Sequence, residues 1–201
     1  PEMFQQIAQA FTDYENNSDA LCALIFSHGP HFTAGIDLPK IAPYMKSSNR
    51  EYLHPKGLID PLGLRGLIRT KPTVCAVRGI TFTYGVELSL ACDVTIAADN
   101  CRFSQLEVLR GIMPTGGATI RFVQRAGWGN AMKYLLSGME FNSEEALKMN
   151  IVQEVVQEDN VFSRAKEIAK NIADAAPLAV RETIRSAKLA LEEGREIAVA
   201  E

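Results

Sequence analysis

Two glutamates, Glu87 and Glu107, stand among residues that are otherwise apolar. Glu87 is flanked by Val86, Leu88 and Leu90 in the segment GVELSLAC, and Glu107 interrupts the run Leu106, Val108, Leu109. Two carboxylates sharing an apolar pocket are pushed toward higher pKa by burial and mutual repulsion. Placed in different environments, such a pair can divide acid and base work near neutral pH. Local pattern also admits plainer roles, with Glu87 complementing the dipole of its own helix and Glu107 lying at an exposed edge.

A second kind of chemistry is written in the backbone. The segments 32–38 (FTAGIDL), 79–88 (GITFTYGVEL) and 104–112 (SQLEVLRGI, followed by the turn Pro114-Thr115-Gly116-Gly117) share one layout: strand, loop, helix start. A helix N-terminus leaves N–H groups without intrahelical partners and favours negative charge. Gly35 and Gly85 allow close backbone approach there, although each is equally compatible with a simple tight turn. Brought together, two such turns present two N–H donors to one developing oxyanion, each worth roughly 3–4 kcal/mol in a transition state.

Other chemistries find little support. There is no G-x-S-x-G, and the histidines are His28, His31 and His54. The spacing His28-x-x-His31 spans Gly-Pro and lacks a nearby third metal ligand. His28 and His31 flank the Gly35 loop, within reach of anything bound there, but a loop histidine is ordinarily just solvated. Cys22, Cys75, Cys92 and Cys101 show no C-x-x-C spacing, and three of them sit in apolar runs. Buried reduced thiols are expected, which points to a reducing compartment such as the cytoplasm, or an organelle matrix. The 201 residues carry a net charge of −3, with 47% apolar and 22% charged residues. That balance suits one globular domain, or one with a small appendage, and supplies no basic field for nucleic acid. Arg65, Arg69 and Lys71 read as a solvated face. No apolar stretch is long enough to span a bilayer, and no signal-peptide pattern is found.

Positioning these groups requires alternating strands and helices. Helical spacing runs from Met3 to Tyr14. Buried strands are expected at 20–26, 73–77, 93–98, 101–104 and 151–156, with residues 47–56 irregular. Further helices are expected from Asp37, at 57–69, 85–92, 117–125, 128–137, 143–149, 160–175 and 177–193. Strands alternating with helices, finished by a helical C-terminal part, indicate an α/β fold.

Taken together, F-x-A-G-x-D-L at 32–38, G-V-E-L-S-L-A-C-D at 85–93 and Q-x-E-V-x-x-G at 105–111 resemble the enoyl-CoA hydratase/isomerase (crotonase) family over nearly the whole chain. The resemblance implies a crotonase-like spiral of ββα units over 1–140, with the family's N-terminal strands missing before residue 1. It further implies a helical trimerisation region over 141–201, and trimers or paired trimers. It implies an acyl-CoA thioester as substrate, with coenzyme A entering as part of that substrate and no separate cofactor or metal. By position, the oxyanion donors are the N–H groups of Ile36 and Tyr84. Ala34, Gly35 and Ile36 run beside the CoA, and Lys40, Gly85 and Thr115 complete the binding residues. Glu87 positions and polarises water while Glu107 acts as general acid, which adds water to a 2-enoyl-CoA. Related members isomerise or hydrolyse such thioesters, and a non-catalytic acyl-CoA-binding scaffold is the rival from another class. The chain departs from the family pattern at three places: Thr83-Tyr84 replaces a glycine run, Thr115 follows Pro114 where glycine is usual, and Pro39 stands where a basic residue is common.

Overall fold

Buried at every position, the run Thr73–Val77 forms a central strand (β2) in a computed structural model that describes residues 2–45 and 55–200. The chain opens with helix α1 (Glu2–Asn16), whose Ala8 and Phe11 face inward. Strand β1 (Ala23–Ile25) and helix α2 (Leu38–Met45) precede β2. After it come β3 (Ile80–Phe82), α3 (Tyr84–Ala91), β4 (Val94–Ala98), β5 (Arg102–Ser104) and α4 (Ala118–Ala126). The remainder is α5 (Trp128–Ser137), β6 (Phe141–Asn142), α6 (Ser143–Lys148), β7 (Glu154–Val156), α7 (Val161–Ala173), α8 (Pro177–Glu192) and α9 (Arg195–Ala200).

Two sheets result. The first has the order β1-β2-β4-β7 and is parallel throughout, with Leu24 opposite Val74, Cys75 opposite Thr95 and Ala97 opposite Val155. Parallel neighbours need crossovers, and strands covered on both faces read as continuous apolar runs, as TVCAV and VTIAA do. The second sheet has the order β3-β5-β6, with β3 and β5 parallel and β6 antiparallel to β5. Each of two successive units sends its first strand to one sheet and its second to the other, then closes with a helix: β2-β3-α3 and β4-β5-α4. This is the expected α/β spiral of ββα units. The main core joins Val74, Val77, Leu90, Ile96, Phe103 and Phe122 to Phe141, Ile151, Val161 and Ala165, so packing runs continuously across residue 140. In α8, by contrast, no residue is buried.

Several local expectations are corrected. Residues 57–69 do not form a helix. The Asp60 carboxylate accepts from the N–H groups of Leu62, Leu64 and Arg65, which organises turns in place of a helical ladder. Gly57, Gly63 and Gly66 take φ of 81°, 61° and 62°, which a helix does not allow. Residues 80–82, expected as loop, form β3 because they gain β5 as a partner. Arg69 and Lys71 are buried rather than a solvated face. Arg69 donates to Asp93 at 2.9 and 3.2 Å and to the carbonyls of Lys71 and Ala91. Lys71 Nζ donates to the carbonyls of Tyr14, Asn17 and Ala20. Both cations are held inside by backbone carbonyls, Arg69 also by the Asp93 carboxylate. Strand β7 starts later than expected because the Ile151 N–H bonds back to Ala146, ending the turn after α6. The polar stretch 47–56 lies outside the described residues apart from Pro55 and Lys56, and so does His54. Among the described residues, no helix is long and apolar enough to cross a membrane. The four cysteines are free, with Cys75, Cys92 and Cys101 buried and Cys22 half-buried.

Candidate active site

Helix α3 is buried from Gly85 to Leu90, so the Glu87 side chain, 5% exposed, has no route to bulk water along its own helix. Its carboxylate instead meets the turn that begins α4. The Gly116 N–H donates to Oε1 at 2.6 Å and the Ala118 N–H to the same oxygen at 3.3 Å. Glu87 does complement a helix dipole, but it is that of α4, whose unpaired N–H groups form a ready anion cradle. Burial pushes its pKa from 4.5 up to about 7; the two N–H donors and the Arg121 charge oppose this, and the Glu107 charge adds to it. A side chain at residue 116 would displace the carboxylate. A Cβ at Gly116 would run into Glu87 Oε2, 2.6 Å from its Cδ and 2.8 Å from Leu62 Cδ1.

Glu107 opens a 3-10 turn, Glu107–Arg110, directly after β5, and it is half-buried. Burial raises its carboxyl above the ordinary value. Gln105 is fully buried beside it. Oriented with its nitrogen toward the acid, the Gln105 amide donates to Glu107 at 2.9 and 3.1 Å. The structure therefore brings both glutamates within electrostatic reach, each raised mainly by desolvation. Burial, more than repulsion between the two, sets both shifts.

The two candidate oxyanion loops are stitched together. The Phe32 and Thr33 N–H groups donate to the Ile80 carbonyl at 3.0 Å, and the Phe82 N–H returns to the Thr33 carbonyl at 2.9 Å. The Gly35 N–H turns onto Thr33 Oγ1 at 3.1 Å. A Cβ at Gly85 would lie 2.6 Å from Thr33 Cγ2, so the first turn of α3 rests directly on this loop. Ile36 and Tyr84 each follow a residue at the point of closest approach, Gly35 and Thr83. Neither N–H donates to another group among the described residues.

The Tyr84 ring meets Phe4 edge-on at 5.3 Å and packs in the cluster of Phe11, Ile59, Leu62 and Leu88. Burial, with Asp60 and Glu87 nearby, raises the phenol well above its ordinary pKa, so it stays protonated. Ala34 and Thr115 are exposed, Thr115 next to the Gly116 donor. Lys40 is exposed and pairs with Asp37 at 3.2 Å. His31 Nδ1 accepts the Ile80 N–H at 3.2 Å, which pins the loop, and His28 lies edge-on to Phe26 at 4.9 Å. Among the described residues, no group of three His, Cys, Asp or Glu could hold a metal ion. Sequence reading assigned no role to Gln105, Gly116 or Ala118. The i,i+2 step from Gln105 to Glu107 was a usable signal, whereas the union of Glu87 with residue 116 was not.

The sequence model of the family described as enoyl-CoA hydratase/isomerase matches residues 1–200. The chain belongs to the enoyl-CoA hydratase/isomerase family. It is 32% identical over 171 residues to a short-chain-enoyl-CoA hydratase of Clostridium acetobutylicum, covering 84% of this chain and 64% of that protein. Against the 2,3-dehydroadipyl-CoA hydratase of Escherichia coli it is 31% identical over 198 residues, 98% of this chain and 72% of the relative. The fold superposes with a TM-score of 0.95 on the crystal structure of a probable enoyl-CoA hydratase/isomerase from Mycobacterium abscessus. Identity there is 43%, over 98% of this chain and 76% of that one.

Within this family the sequence departures now have structural places. Thr83, standing in the usual glycine run, takes φ 50° and ψ −112°, a region that costs a non-glycine residue about 1–3 kcal/mol. Pro39 occupies the first turn of α2, where its missing N–H is tolerated.

Proposed function

We propose that the protein is a hydro-lyase that adds water across the double bond of a 2-enoyl-CoA thioester. One observation carries the reading: buried Glu87, raised to about 7, stands within electrostatic reach of half-buried Glu107, itself raised, and the Ile36 and Tyr84 N–H groups of the neighbouring loops have no partner among the described residues. The thioester oxygen lies between the N–H groups of Ile36 and Tyr84, with Ala34 and Gly35 along the CoA and Gly85 and Thr115 at the acyl end. Lys40 is within the same segment and serves the CoA phosphates in this reading. Ionised Glu87, held by Gly116 and Ala118, polarises a water molecule. The water oxygen bonds to the β-carbon, the alkene electron pair moves to the thioester oxygen as an enolate, and protonated Glu107 gives its proton to the α-carbon. The water proton passes to Glu87, and exchange with solvent resets the pair. Atoms balance without a cofactor or metal.

Exposed Leu109, Met113, Leu136 and Met139, together with Leu178 on α8, support a trimer or a pair of trimers. Four free cysteines are in keeping with a reducing compartment such as the cytoplasm.

The test is spectrophotometric. Crotonyl-CoA and longer 2-enoyl-CoAs should lose their conjugated-thioester absorbance and yield 3-hydroxyacyl-CoA, with Glu87→Gln and Glu107→Gln both inactive. A product with a shifted double bond would select isomerisation, and free CoA would select thioester hydrolysis. Binding of CoA esters without turnover at any chain length would sink the enzyme reading.

A further inference from the structure

Thr83 is the place where a β-branched residue takes a backbone conformation that side chains avoid, φ 50° with ψ −112°. Its surroundings hold it there. The Thr83 N–H donates to the Ser104 carbonyl at 2.8 Å, and its own carbonyl accepts the Glu87 N–H at 3.1 Å. Threonine is thus kept where glycine would fit more easily.

What the side chain does is visible from the facing loop. Gly35 has φ of 105°, and a Cβ built on it would fall well inside contact with Thr83 Oγ1 and 3.2 Å from Thr83 Cβ. The Thr83 hydroxyl therefore occupies the space where residue 35 would carry a side chain. That hydroxyl has no hydrogen-bond partner among the described residues, so satisfying a polar group does not explain its place. An oxygen can sit closer to an α-carbon than a methyl can, because Cα–H···O contacts form at about 3.3–3.6 Å, inside carbon–carbon contact distance.

We infer that Thr83 is a positioning residue for the oxyanion site: its hydroxyl, seated on the Gly35 α-carbon, sets the separation of the loops that present the Ile36 and Tyr84 N–H groups. Both donors are one residue beyond this contact. The inference rests on the proposed thioester chemistry and deepens it. Donors of this kind act only within a narrow distance of the developing charge, about 2.7–3.1 Å. A few tenths of an ångström at Gly35 is then a kinetic matter.

Three variants test it in the full-length protein. Thr83→Val replaces the oxygen with a methyl at equal branching and should lower kcat about tenfold to a hundredfold, with KM little changed. Thr83→Ser returns the oxygen and should recover most of that loss. Thr83→Gly removes both the wedge and the unfavourable φ; it should fold at least as well as the parent yet lose kcat, which keeps the test informative if Val fails to fold. Acetoacetyl-CoA gives a second readout, since its enolate absorbs in the near ultraviolet. The parent and Ser proteins should enhance that absorbance on binding, and the Val and Gly proteins should enhance it less. Equal kcat and enolate signal in all four proteins would overturn the inference while leaving the enzyme reading intact. Ser falling as far as Val would also overturn it. A parent that neither turns over enoyl-CoA nor perturbs acetoacetyl-CoA would remove the functional reading itself, and this inference with it.

Discussion

Replacing Glu87 by glutamine should make the protein inactive and, above neutral pH, more stable. Glu87 has a folded-state pKa of about 7 against 4.5 for the free side chain, chiefly because it is buried. The folded state therefore binds more protons than the unfolded chain between those values, and stability falls as pH rises through that window. Above about pH 7 the ionised carboxylate costs the folded state the full difference, about 3 kcal/mol at 1.36 kcal/mol for each pKa unit. Below about pH 4.5 the group is protonated in both states and the cost disappears. Glutamine cannot ionise, and its Oε1 still accepts from the Gly116 and Ala118 N–H groups at the positions seen for Glu87. Glu87→Gln should thus raise Tm at pH 8 by about 6–12 °C for a chain of this size, and change it little at pH 4.5. Scanning calorimetry at the two pH values measures this, and an enoyl-CoA assay on the same sample should show a loss of about 10²-fold or more. A Tm gain equal at both pH values, or a loss of stability at pH 8, would refute the claim that Glu87 is held ionised against desolvation.

Three further outcomes follow from the same geometry. Gly116→Ala should displace the Glu87 carboxylate, since the new Cβ would lie 2.6 Å from its Cδ. It should lower kcat about 10²-fold and cost about 1–3 kcal/mol, read by turnover and urea denaturation, and an unchanged kcat would contradict the placement. Arg69→Met should cost about 3 kcal/mol, because it leaves Asp93 without its buried cation, and the urea midpoint should drop at constant m. For hydration, kcat/KM should be bell-shaped in pH with one limb near 7 set by the carboxylate pair. A flat profile from pH 5 to 8 would contradict the pairing.

Much of the scaffold was legible because buried parallel strands leave a short, recognisable trace. TVCAV and VTIAA could be read as strands since both faces are covered and every position but one threonine in each is apolar. Helices α4 to α8 were readable from spacing and from turns such as Pro114–Gly117, because those signals are local. Residues 57–69 misled for the same reason: their apolar spacing is helical, but the Asp60 carboxylate outcompetes the helical ladder for three N–H groups. Arg69 and Lys71 were equally opaque, since the carbonyls that bury them come from α1, from the loop after it and from the end of α3.

The sequence by itself determined which carboxylates and which glycine-bearing turns this protein has, through residue identity and spacing that need no partner to be read. Only the tertiary structure decided what those groups can do. Glu87 acquires its raised pKa from burial in α3 and its anchor from the start of α4, 29 residues away. Thr83 meets Gly35 only because β3 and the Thr33 loop are stitched side by side. Desolvation, like-charge coupling and close approach are properties of groups held together in space, and no local run of residues contains them.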